Sequence, residues 1–283
     1  MSTQTQLAVA TTAAIDAIET GDLEALCALL NAEPAIVHLP LDDGRTEYEP
    51  GQRPKLLHAV FILAKAAPDL PVLELTRALL DAGADANGVT GDPKGNTALA
   101  LAAIYGFVEA LDMLIEAGAR VDDAELDAFG MSALDHCLFA GVSMAAAQRL
   151  ADLGAPLSVC RSVGLGRMEN VRAAADELRG ELGLRTAAFL TACMCGQLEV
   201  VRFLVEECQV DVDIFPPGEE FGGVGGSGLH WAASGGYLDV VTYLVEEAKA
   251  DVHEKDDTYQ SDAAGWASEA GHNEIAAYLA GRS

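Results

Sequence analysis

Leu101, His136, Arg161, Thr191, Trp231 and Trp266 each stand five positions ahead of a glycine. Two of them are the only tryptophans, and one is an arginine in a chain with 17 Lys and Arg against 44 Asp and Glu. Such residues can do two kinds of chemistry. Exposed aromatic and Arg side chains anchor binding surfaces. Alternatively, a His acts as general acid or base, an Arg stabilises an anion, and a nearby carboxylate completes the set. Glu269, three residues after Trp266, supplies that carboxylate. The candidate catalytic residues are therefore His136, Arg161 and Glu269. The candidate binding residues are Leu101, Tyr105, His136, Arg161, Thr191, Trp231 and Trp266. Tyr105 stands one residue before its glycine, where Ala140, Cys195, Gly235 and Ala270 occupy the other copies and leave room for a guest.

Other chemistry finds little support. The run Gly223-Val-Gly-Gly-Ser-Gly228 fits G-x-G-x-x-G by letter and precedes a helix pattern. It lacks the preceding strand and the acidic ribose-binding residue of a dinucleotide site, so it reads as a loop. The six histidines are scattered, and six cysteines sit in apolar contexts without zinc spacing, so no metal or cofactor is expected. Asp135 and His136 are adjacent, but neighbours on a helix point about 100° apart, which is not a ready dyad.

The elements that position these residues recur. Gly21-Asp-Leu-Glu-Ala-Leu, Gly106-Phe-Val-Glu-Ala-Leu, Gly166-Arg-Met-Glu-Asn-Val, Gly196-Gln-Leu-Glu-Val-Val, Gly236-Tyr-Leu-Asp-Val-Val and Gly271-His-Asn-Glu-Ile-Ala share one pattern. Several copies end on a second glycine, as in Leu80-Asp-Ala-Gly-Ala and Ile115-Glu-Ala-Gly-Ala. Each first glycine lies between two amphipathic runs, where a helix stops and reverses. Units of this kind bury their apolar faces only by stacking.

The pattern resembles the ankyrin repeat family, in about eight degenerate units. The resemblance implies an all-α solenoid of stacked helix-turn-helix units with hairpin-like loops. It also implies that the position five before each turn glycine faces a concave groove, and that His58 and His230 hold the turns through backbone hydrogen bonds. We expect a flexible N-terminus over 1–12 and a single ankyrin-repeat domain over 13–283, with loops inserted near 39–54 and 214–228. The repeat after Gly141 is short.

Function follows as an expectation. The formal charge of −27 repels nucleic acid and anionic membranes. No apolar run suits a transmembrane helix or signal peptide, so a cytoplasmic protein is expected. Resemblance to ankyrin proteins implies a module whose groove and acidic loop rim recognise a protein partner, and such a rim suits a basic one. The rim comprises Asp122, Asp123, Glu125 and Asp127, then Asp211 and Asp213, then Asp251, Glu254, Asp256 and Asp257. The alternative is a small-molecule binding protein or enzyme with an aromatic, Arg- and His-containing pocket in the groove.

Overall fold

The computed structural model describes residues 3–41, 53–91, 95–126, 130–139, 143–215 and 225–282. The described residues are helical apart from turns and one isolated bridge, Val89 to Thr97. They group into two compact units where a single domain is expected. Unit 1 holds 1–137 and 145–156, and unit 2 holds 138–144 and 157–283. The division falls in the short repeat.

Unit 1 runs through α1 (Thr3–Thr20), α2 (Leu23–Ala32), a 3-10 turn (Pro34–His38), α3 (Leu56–Ala64), α4 (Val72–Asp81), α5 (Ala98–Ile104) and α6 (Val108–Glu116). Most of α7 (Ala133–Leu138) and α8 (Met144–Asp152) belong to it as well. The segment 1–12, expected to be flexible, is helical from Thr3 onward. Its threonines satisfy their hydroxyls within the helix, Thr11 donating to the Leu7 carbonyl and Thr12 to the Ala8 carbonyl. The first insertion is closed at its base by the Leu41 amide donating to the Pro54 carbonyl at 2.8 Å; residues 42–52 lie outside the description.

Unit 2 runs through α9 (Val159–Gly164), α10 (Met168–Ala173), α11 (Ala175–Gly180), α12 (Leu182–Met194) and α13 (Leu198–Glu206). It ends with α14 (Gly228–Ser234), α15 (Leu238–Glu246), α16 (Ala263–Glu269) and α17 (Asn273–Ala280). Its core gathers Phe189, Leu190, Val201, Leu204, Leu229, Val241 and Leu244, all essentially inaccessible. Ala192, Ala232, Ala233 and Ala267 sit on the inner helices at 0% exposure, and their small volume lets these helices approach closely.

One turn joins the two helices of each pair. At Gly236 the glycine amide donates to the Ala233 carbonyl and the Tyr237 amide to the Ala232 carbonyl at 3.0 Å, which is the Schellman closure. Gly236 adopts φ +79°, and a Cβ there would meet the His272 ring of the next turn at 2.6 Å. Glycine is thus required twice, for the left-handed backbone and for the close approach. The same hydrogen-bond pair recurs at Gly106, Gly166, Gly196 and Gly271.

Candidate functional site

Two buried histidines stitch successive turns within each unit. His58 accepts the Lys55 amide at Nδ1 and donates from Nε2 to the Gly88 carbonyl at 2.9 Å. His230 accepts the Ser227 amide at Nδ1 and donates from Nε2 to the Ser261 carbonyl at 3.2 Å. A carbonyl partner requires the proton on Nε2, so both rings are neutral in this arrangement. Burial lowers the His58 pKa to about 4 and moves His230 in the same direction. These are turn-holding groups, in keeping with what the resemblance implied for the Leu-His pair.

Two acids of the expected rim are not on a rim. Asp123 is 2% exposed and accepts the Thr97 hydroxyl and, at 2.8 Å, the Ala133 amide. Asp256 is fully buried and accepts the Thr258, Tyr259 and Ser261 amides at 2.8, 2.5 and 3.0 Å. Its Oδ2 also accepts the indole N–H of Trp266 at 3.0 Å. Both carboxylates fold loops, because a buried acid must find donors. Asp211 and Asp251 cap their own turns through the amides two residues on, and Asp213 accepts the Asp251 amide at 2.9 Å. Glu125 pairs with Arg120, and Asp127 lies outside the described residues.

The candidate binding residues divide between the units. Leu101 is 5% exposed and belongs to the unit 1 core, so it offers little surface to a guest. Tyr105, half-buried on the same unit, carries the Lys65 ammonium 5.3 Å from its ring centroid. His136 is half-buried on α7, also in unit 1. Its neighbour Asp135 is engaged by the Ser132 amide and hydroxyl, each donating at 2.9 Å. Ala140 lies outside the described residues.

Unit 2 brings the rest together along α9, α12, α14 and α16, which pack consecutively. Arg161, Thr191, Trp231 and Trp266 occupy corresponding positions on these helices and are all half-buried. The two tryptophans meet edge to face, with centroids 5.1 Å apart and planes at 85°. Such a pair stabilises by about 0.5–1.5 kcal/mol beyond its buried area. His230 lies against Trp266 at 5.3 Å, Phe215 against His230 at 6.0 Å, and Phe139 against Trp231 at 6.4 Å. Phe139 is 42% exposed. Glu269 is exposed at the end of α16. The indole N–H of Trp231 is buried with no partner among the described residues.

Phe139 and Phe215 are not among the expected site residues, and Asp256 is expected only on the acidic rim. The sequence places Phe215 inside the second insertion and Asp256 among acids, with nothing local to link either to Trp266. A Cβ on Gly226 would meet the Trp266 ring at 2.8 Å, and one on Gly228 would meet Phe189 at 2.6 Å. These glycines of the G-x-G-x-x-G run serve close packing, and no strand precedes the run among the described residues. The run's beginning, Gly223, lies outside them.

Cysteine chemistry is muted. Burial pushes the Cys137 and Cys195 thiols up to about 12, and the Cys195 thiol donates to the Leu138 carbonyl at 3.2 Å. Among the described residues no three His, Cys, Asp or Glu side chains converge as a metal ion would require. No described helix is long and apolar enough to cross a membrane.

No curated protein sequence matches the chain. Among solved structures it is similar to the crystal structure of the human ASB11 ankyrin repeat domain, at 19% identity. That match covers 95% of this chain and 97% of the other, with a TM-score of 0.48. A family model described as ankyrin repeats (3 copies) matches residues 63–159 and 172–256, well over half of the chain. The chain belongs to the ankyrin repeat family.

Proposed function

We propose that the protein is an ankyrin-type binding module that recognises a protein partner through the groove of unit 2, walled by Trp231 and Trp266. Ankyrin repeats are in general protein–protein interaction modules. The observation that carries the finer reading is the edge-to-face pair of the only two tryptophans, at 5.1 Å, beside the exposed Phe139. Rigid, half-exposed aromatics pay little conformational entropy on binding and dominate interface energetics. Thr191 and Arg161 extend the same row toward α9 and supply a hydroxyl and a cation. The acids that remain on the surface, Asp211, Asp213, Asp251 and Asp257, steer a basic partner toward this unit.

The test is selection of peptides from a displayed random library against the full chain, followed by affinity measurement on Trp231→Ala and Arg161→Ala. Tight binders are expected to lose about tenfold or more on Trp231→Ala, as a removed aromatic anchor does, with the helical signal unchanged. Binders indifferent to both substitutions would place recognition elsewhere.

A further inference from the structure

We propose that the Trp231–Trp266 corner is a subsite for a cationic side chain, an arginine or lysine supplied by the protein partner. This rests on the reading above and adds the chemistry that the groove selects.

The rings come first. Two indoles meeting at 85° form a right-angled corner. An aromatic face attracts a cation held within about 6 Å of its centroid, and tryptophan does so best. The chain already uses this attraction internally in unit 2: Arg202 lies 4.3 Å from the Tyr243 centroid, and Arg282 lies 4.6 Å from that of Tyr278.

The electrostatics of the corner come second. Asp256 places a buried carboxylate oxygen 3.0 Å from the indole nitrogen of Trp266. Three backbone amides also donate to that carboxylate, and hydrogen bonds to the charged form keep it ionised. A carboxylate accepting the indole N–H enriches the ring in electron density and strengthens its pull on a cation. The surroundings add to this. Glu254 has its carboxyl pKa raised by burial and then by Asp213, Asp251, Asp211 and Asp257. Asp257 also lies close to Gly225 at the foot of the second insertion, beside Phe215. The loop bordering the aromatic cluster therefore carries an excess of negative charge that an apolar guest would leave uncompensated.

The third element is the arrangement of the row. Arg161 is carried on α9, and α12 stands between it and α14. The one basic residue of the row is thus a helix pair removed from the corner, and the acid that touches the corner is Asp256.

The test uses the full chain labelled with 15N, whose two tryptophans give two indole resonances. N-acetyl-arginine amide and N-acetyl-lysine amide are titrated separately, with N-acetyl-norleucine amide and N-acetyl-citrulline amide as uncharged counterparts. At least one cationic amide is expected to shift both indole signals saturably, with affinity at least fivefold above its uncharged counterpart. Which cation is stronger tells guanidinium from ammonium selection. Trp231→Ala is expected to abolish the saturable shift of Trp266, while Trp231→Phe retains the fold and weakens it less. Equal shifts with norleucine amide, or no saturable shift with either cation, would overturn the proposal. If the cationic amides fail while selected peptides still depend on Trp231, the groove stands and its cation preference falls. If the amides bind but selected peptides ignore Trp231, the partner reading falls with it.

Discussion

Asp123 in unit 1 and Asp256 in unit 2 are the same residue type in the same kind of place, yet their charge states are driven in opposite directions. Each is a buried acid in a loop between helix pairs. For Asp123, burial outweighs the Thr97 hydroxyl, the Ala133 amide and nearby His136, and its pKa rises. For Asp256, burial acts the same way, but the amides of Tyr259, Ser261 and Thr258 and the Trp266 indole overcome it, and its pKa falls. The balance between desolvation and donors decides the ionisation of each acid: at Asp123 desolvation prevails, and at Asp256 the four donors do. The consequence for function is that only unit 2 holds a fixed negative charge against a tryptophan.

The largest effect is expected from removing that charge. Asp256→Ala strips the acceptor from three amides and an indole N–H at once. We expect a loss of about 3–4 kcal/mol, given the cost of hydrogen bonds to charged groups, and a shift in tryptophan emission. Asp123→Ala is expected to destabilise by about 2 kcal/mol with tryptophan emission unchanged. Denaturant melts followed by fluorescence and by circular dichroism separate the two variants. Equal emission changes would break the comparison.

Acidification comes next. His58 has a folded pKa of about 4 against 6.5 unfolded. Its contribution is present above pH 6.5 and is lost as pH falls toward 4, a change of about 3 kcal/mol for a shift of this size. His230 adds to the loss in the same direction. Asp256, depressed, keeps its full contribution above the ordinary aspartate range and loses it as the pH falls from there to its own lowered value. Asp123, raised, contributes in the opposite sense, favouring the fold below the ordinary aspartate range and less as pH rises. A net gain of stability between pH 7 and 4.5 would contradict the buried neutral histidines. The variant His58→Gln is expected to flatten the decline while lowering stability at pH 7.

The glycines give a smaller, sharper contrast. A Cβ at Gly236 faces both a left-handed backbone and the His272 ring, whereas Gly118, φ +94°, has nothing within 4 Å. Gly118→Ala in unit 1 is expected to cost about 1 kcal/mol, the backbone term alone, and Gly236→Ala about 2 kcal/mol or more. Comparable thermal shifts would remove the close-approach argument. The smallest effect is expected at Trp231→Phe. Losing ring area and losing a buried, unpartnered N–H offset each other to within about 1 kcal/mol.

The helix pairs were legible because their signals are periodic: Gly106, Gly196 and Gly236 each end one amphipathic run and start another. The two tryptophans were legible as neighbours for the same reason, since equal offsets from successive glycines give equal places on successive helices. What stayed hidden depends on contacts that no local spacing encodes. Leu101 shares the tryptophan offset but is buried in the core, because periodicity gives a helix face and not its exposure. Asp123 and Asp256 look like any solvated acid in a run of acids, and only the loop around each reveals its donors. Phe139 stands two residues before its glycine, off the positions counted, and Phe215 lies in the second insertion, so counting from the glycines passes both by. The turn glycine Gly21 marks the end of α1, but nothing in the repeat spacing marks its start at Thr3, so the helix before residue 13 passed unread.

The most direct test of the account reads the two tryptophans during partner binding. Titrating the strongest selected peptide into the full chain, we expect tryptophan emission to change and to saturate with the affinity found by calorimetry. We expect the emission change to vanish with most of the affinity in Trp231→Ala. A peptide that binds tightly by calorimetry and leaves the emission of both tryptophans untouched would contradict a recognition site at their corner.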